Sequence, residues 1–310
     1  MPSRLEVELA GAGGEPVDLW RTIRSHGVVD LPPMRVDAER RALEATLPVE
    51  GSRPRRVRIV EGGPRVASVR VEGRALGERE TGRLLTVVRH ILRLDEDLSP
   101  FYARAANDPE LAWAVRGAGR LVRSPTVFEE VVKTICTTNC AWSATERMVG
   151  ALVANLGEPA DRISPDGPYG RAFPTPAAMA EAEPDFYRDV VRAGYRGPYL
   201  RSLAESVAGG ELDLEALGRA SREELPDEEL AAALLALPGV GPYAASHVMI
   251  MLGRYSPLIL DSWTRPTYAR LTGGRPKKDA TIVRRFRGYG PYAGLAFWLF
   301  LTRDWVEDTV

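Results

Sequence analysis

Between Pro226 and Asp261 the sequence reads PDEELAAALLALPGVGPYAASHVMIMLGRYSPLILD, and no other stretch constrains the fold as tightly. Pro226–Leu237 predicts a helix. Pro238-Gly239-Val240-Gly241 predicts a tight hairpin, and Pro242 then stands at the first position of a second helix, where its missing N–H costs nothing. The two glycines let the backbone approach a partner closely and turn its N–H groups outward. At a helix N-terminus such groups form an anion site suited to a phosphate. A turn that only joins two packed helices can also carry PGVG. The tetrapeptide is therefore read with its sequel: an apolar helix, a Pro-containing turn, and Asp261 directly after Leu258-Ile259-Leu260.

The rest of the chain divides by pattern. Leu5–Gly11, Leu43–Val49 and the two halves of Val57–Gly73 around Gly62-Gly63-Pro64 predict short strands, followed by a helix over Thr81–Leu94. Beyond it the periodicity is helical. Ser124–Thr138 has Thr126 and Glu129 in capping-box spacing and apolar residues at Val127, Val131 and Ile135. Arg162–Pro176 reads as a Pro- and Gly-rich loop. The fold class expected is α+β, with a small antiparallel sheet domain over residues 1–95. A two-part helical domain follows over residues 96–310 and holds the helix–hairpin–helix unit at 226–254.

Of the 310 residues, 45% are hydrophobic and 27% charged, and no run approaches the roughly 20 apolar residues of a membrane span. MPSRLEVELAGAGG lacks the basic and apolar regions of a signal peptide. The two cysteines, Cys136 and Cys140, are too few and too close for a disulfide framework, so a reduced cytoplasmic setting is expected. The net charge is −1, but it is unevenly distributed. Nine acidic residues face two arginines over Glu205–Leu230, a net of −7. Ten Lys/Arg face two Asp over Arg254–Arg303, a net of +8 beside the hairpin. That asymmetry makes a polyanion-binding face credible there.

LPGVG with an Ala four residues on, and an Asp some twenty residues past the second helix's start, resembles the signature of the helix–hairpin–helix DNA glycosylase superfamily. The resemblance implies that the hairpin (Leu237, Gly239, Val240, Gly241) holds the lesion strand's backbone. It also implies a monovalent cation, Na+ or K+, at the backbone of Gly239 and Gly241, and Asp261 as the catalytic carboxylate. Asp261 precedes SWTRPTYARL and can also cap that helix. Phe128–Asn139 is similar to the helix that places an Asn in the DNA gap in 8-oxoguanine DNA glycosylases. Phe173–Val207 is similar to their FPS…GYRARY stretch, which puts Tyr195 at the intercalating position with Arg196 beside it on DNA. Tyr289–Phe300 resembles their terminal WGPYAG helix. The early sheet fits a domain they share with 3-methyladenine DNA glycosylase II. The resemblance is good from Thr81 onward and weak before it.

Three departures refine the expectation. Tyr243 stands where bifunctional members carry a lysine; a phenol forms no imine, so no strand cleavage by β-elimination is expected. Lys133 lies in another helix and reads as a surface lysine. Phe297, followed by Trp298, stands where a Gln reads 8-oxoguanine. An aromatic there can stack on a base or hold a cationic one at ~0.5–2 kcal/mol, and either residue reads equally well as helix core. Ala144 stands where an Arg contacts the orphaned base. His247, four residues after Tyr243, reads as packed or phosphate-facing rather than as a base. Two cysteines and the scattered His26, His90 and His247 make neither an iron–sulfur cluster nor a zinc site.

The expected function is a monomeric, monofunctional glycosylase acting on duplex DNA, without cofactor and away from membranes. It would hydrolyse the N-glycosidic bond of a damaged, preferably alkylated, purine. The flipped base would enter a pocket of Trp142, Tyr243, Trp263 and Phe297 while Tyr195 and Asn139 fill the gap. The alternatives are an 8-oxoguanine glycosylase and a non-catalytic damage-binding module, the latter disfavoured by the retained Asp261.

Overall fold

The computed structural model describes residues 3–306. The chain opens with β1 (Ser3–Glu8), the short helix α1 (Leu19–Ile23), β2 (Met34–Asp37), β3 (Ala42–Val49), β4 (Ser52–Gly63) and β5 (Val66–Val71). The five strands form one antiparallel sheet in the order β1-β5-β4-β3-β2. Val57 faces Val71 and Ile59 faces Val69, so alternate apolar residues line one face, as the period of two requires. α2 (Glu78–Ile91) covers that face with Leu84, Val88 and Ile91. It starts three residues before the predicted Thr81, because Glu80 reaches back to accept the Gly77 N–H at 3.1 Å. β2 escapes sequence reading: it is a four-residue edge strand just after Pro32-Pro33, with three of its residues half-buried.

The helices that follow are α3 (Ser99–Ala105), α4 (Val127–Thr137), α5 (Trp142–Leu156), α6 (Pro176–Ala180), α7 (Arg196–Ala208), α8 (Leu214–Arg219), α9 (Asp227–Leu235), α10 (Pro242–Met251), α11 (Thr264–Leu271), α12 (Asp279–Phe286) and α13 (Ala293–Thr302). They enclose two cores. One gathers α4, α5, α7, α9 and the early part of α10; the other gathers α3, α11–α13 and the late residues Ile250 and Met251 of α10. α10 is apolar all round because it separates the two. Among the described residues no helix is long and apolar enough to cross a membrane.

Buried arginines hold α10 from behind. Arg93, fully enclosed, donates to the carbonyls of Leu121 (2.6 Å), Ile250 (3.1 Å) and Met251. A cation at the C-terminal end of α10 complements the helix dipole. Arg254 donates to the carbonyls of Ala220 (2.7 Å), Ser221 (2.9 Å) and Leu225 (2.9 Å) and to Asp227 (3.0 Å). With its rear end fixed by both, α10 presents its N-terminus and the hairpin in one orientation.

Candidate active site

A cleft of about 580 Å³ opens where the hairpin, the end of α4, the start of α7 and the turn before α11 converge. Asn139, Tyr195, Gly239, Gly241, Tyr243 and Asp261 all line it. These residues span more than 120 positions of sequence and meet only here.

The hairpin forms as its residues dictate. Gly239 has φ +77°, and a Cβ there would lie 2.8 Å from the Tyr199 ring, so both conformation and space require glycine. Val240 donates its N–H to the Leu237 carbonyl at 3.2 Å, and the side chains of Leu237 and Val240 turn into the core. The hairpin therefore offers its backbone rather than these side chains. Gly241 caps α10 in an extended conformation with open space beside it, and Pro242 is the first helical residue.

Asp261 is half-buried at the cleft wall. Its Oδ1 accepts the N–H groups of Trp263 (2.8 Å) and Thr264 (2.7 Å), and Thr264 Oγ1 accepts the Asp261 N–H at 2.8 Å. This reciprocal cap fixes the carboxylate through Oδ1 and leaves Oδ2 without a hydrogen bond among the described residues. The Tyr243 phenol lies near Thr137, and burial raises its pKa, so it is neutral at physiological pH. Its ring packs against both helical cores, at the seam between them.

At the opposite lip, α4 ends at Thr137 and Asn139 adopts φ +46°, donating from Nδ2 to the Tyr195 hydroxyl at 3.2 Å. Tyr195 is 54% exposed, the most exposed of the large apolar side chains there.

No family model matches the chain. It is 25% identical over 164 residues to the DNA-3-methyladenine glycosylase of Bacillus subtilis, covering 52% of each chain. It is 28% identical over 226 residues to the N-glycosylase/DNA lyase OGG1 of Arabidopsis thaliana, covering 69% of this chain and 59% of that one. The matched region thus spans little more than half the length of these curated relatives. The fold of the 3-methyladenine DNA-glycosylase from Archaeoglobus fulgidus superimposes with a TM-score of 0.72 at 22% identity, over 98% of this chain and 100% of that one. The chain thus shares the fold of these DNA glycosylases.

Within this fold several expected side chains are placed elsewhere. Phe297 is 1% exposed and packs between Phe286 (ring centroids 5.3 Å) and Tyr268 (6.2 Å); it is core, because α13 is apolar on every side and its neighbours close over it. Arg196 is also enclosed: it donates to the Thr138 hydroxyl at 3.2 Å and to the Thr138 carbonyl. It satisfies an orphan carbonyl just past the end of α4 and so positions Asn139 and Tyr195, rather than reaching outward. Lys133 is not on the surface but 1% exposed, paired with Glu129 at 2.7 Å. That pairing diverts Glu129 from the expected capping box, of which only the Thr126 half forms, at 3.1 Å.

Trp142 and Trp263, both exposed, flank the cleft rather than line it. Trp263 joins Trp298 and Trp305 in a cluster with centroids 5.5–6.0 Å apart. A segment that sequence reading missed ties the two flanks together: Trp298 donates its indole N–H to the Ser25 carbonyl at 2.8 Å, and Gly27 packs under Trp142. No local signal marks Ser25–Gly27; only long-range packing brings it there. Of the ten basic residues counted from Arg254, Arg254 is internal, while Arg265, Arg285 and Arg303 pair with Asp279 or Glu110. Arg270, Arg275, Lys277, Lys278, Arg284 and Arg287 remain exposed without an acidic partner among the described residues.

Proposed function

We propose that this protein is a monofunctional DNA glycosylase that hydrolyses the N-glycosidic bond of a damaged, alkylated purine in duplex DNA. One observation carries the reading: Asp261 and Tyr243 line one cleft together with the hairpin glycines, with no amine among the residues lining it. As the glycosidic bond stretches, positive charge builds on the sugar. A carboxylate fixed by two N–H groups stabilises that charge without reorganising and orients the attacking water. A phenol at Tyr243 cannot attack the sugar to form an imine, which supports hydrolysis over lyase chemistry.

The substrate preference follows from the leaving group. An N-alkylated purine already carries positive charge and departs without help from an acid. The flanking Trp142 and Trp263, with Tyr243, suit a flat cationic base. Tyr195 and Asn139 would fill the gap left by the flipped nucleotide, and the exposed basic residues of α11–α12 would contact phosphates. The hairpin's neutral backbone oxygens, beside the open space at Gly241, suit Na+ or K+. One chain holds every residue of this site, so a monomer suffices.

Duplexes bearing defined lesions, incubated with and without alkali, test the reading. Base release from alkylated purines, with strand breaks only after alkali, is expected. Breaks without alkali would refute the monofunctional assignment, and preferential release of 8-oxoguanine would refute the substrate. Tight binding to abasic DNA with no release from any lesion would make the protein a damage-binding module.

A further inference from the structure

Behind the cleft lie three buried polar atoms without hydrogen-bond partners: His247 Nε2, Glu130 Oε1 and His26 Nδ1. His247 sits one turn beyond Tyr243 on α10, its ring 6.2 Å from the Tyr243 ring. Glu130 comes from α4 and has its other oxygen bound to the Ser124 N–H at 2.9 Å. His26 comes from the segment that ties the two tryptophan flanks, and its Nε2 lies 2.7 Å from the Val122 carbonyl. A carbonyl only accepts, so His26 carries its proton on Nε2 and its Nδ1 is a bare acceptor. Buried polar groups are ordinarily hydrogen-bonded, so three unpaired ones in one cluster mark it out.

We propose that His247 is a positioning residue whose protonation state sets the charge behind the Tyr243 wall of the cleft. Neutral, it leaves the negative potential of Asp261 and Glu130 to stabilise a cationic base and the charge developing on the sugar. Protonated, it opposes both and shuts base release down. This rests on the reading of Asp261 as the carboxylate of a base-releasing cleft.

The charged groups facing His247 are Glu130 from α4 and Asp261 from the turn before α11. Both favour its cation, but burial opposes it more strongly and holds His247 below the ordinary histidine range. His26 faces it from the N-terminal segment and is itself neutral, pushed down to about 4 by burial. Against the pull of burial, Glu130 is held ionised by the Ser124 N–H and by the cations Lys133 and Arg93, and more strongly still when His247 is protonated. The working cleft is thus net negative, and proton uptake at His247 cancels one charge where the cation must form.

The chain has three histidines, so ring NMR signals of the intact protein resolve each titration. His247 is expected to titrate below its ordinary range. Glu130→Gln and Asp261→Asn should each move it lower still, because each removes a carboxylate that supports the imidazolium. In pH–rate profiles on an alkylated duplex, native activity should fall about tenfold per pH unit below the His247 midpoint. His247→Gln should abolish that limb or move it to lower pH, and Glu130→Gln should carry it down together with the NMR midpoint. A His247 midpoint unmoved by both carboxylate substitutions overturns the cluster whether or not any lesion is released. An acid limb that stays in place in His247→Gln overturns the gating role. Failure to release any lesion, with the NMR shifts intact, instead refutes the glycosylase reading.

Discussion

On the proposed mechanism Asp261 has two duties, a cap and a catalytic charge, that can be separated by substitution. Its Oδ1 caps the N–H groups of Trp263 and Thr264, and the residue lines the cleft. Asp261→Asn keeps an acceptor for both N–H groups and removes the charge. Asparagine caps about as well as aspartate, and loss of the charge at a helix start costs about 0.3–1 kcal/mol, so stability should change by no more than that. The catalytic loss is larger. A unit charge about 4 Å from the developing cation, at an effective dielectric of about 20, contributes about 4 kcal/mol, or about a thousandfold in rate. Asp261→Ala removes both duties and should add about 1–2 kcal/mol of destabilisation from the orphaned cap. Single-turnover base release from an alkylated duplex, read beside urea denaturation of each variant, separates the two effects. Should Asp261→Asn release base within tenfold of the parent, the carboxylate is a cap and nothing more, and the mechanism fails.

Three further outcomes follow from the packing. Gly239→Ala must adopt φ +77° against the Tyr199 ring, so it should destabilise by about 1–2 kcal/mol and weaken duplex binding; binding unchanged in a mobility-shift titration would detach the hairpin from DNA. Lys133→Met strands Glu129 as an unpaired buried acid, and about 3–5 kcal/mol should be lost in urea, most of it recovered in Lys133→Met with Glu129→Leu; a single variant within 1 kcal/mol of the parent would contradict the burial. Burial depresses the His26 pKa from 6.5 to about 4, so the unfolded chain binds the extra proton between those values. Its share of stability, about 3 kcal/mol, is present above pH 6.5 and lost as pH falls toward 4; His26→Gln should flatten the native protein's stability curve across that window, and an unchanged slope would argue against it.

How much of this was legible in the chain depends on the range of the interaction. PGVG dictates its own turn, Pro242 its own helix start, and Asp261 with Thr264 its own cap, because each works between residues within about four positions. Strands β1, β3, β4 and β5, and helices α4 and α10, were likewise readable from local periodicity, while β2 was too short to carry one. What lay beyond the sequence was decided by groups far apart along the chain competing for the same space. Phe297 went to the core and Lys133 to Glu129, and Arg196 was drawn to the carbonyl that α4 leaves exposed at Thr138. Ser25–Gly27 came to lie between the two tryptophan flanks. The sequence by itself determined the hairpin, the carboxylate and the absence of a lysine at Tyr243. Only the tertiary structure decided which side chains face the cleft and which hold it open, because burial and partner choice are settled by packing that no local pattern records.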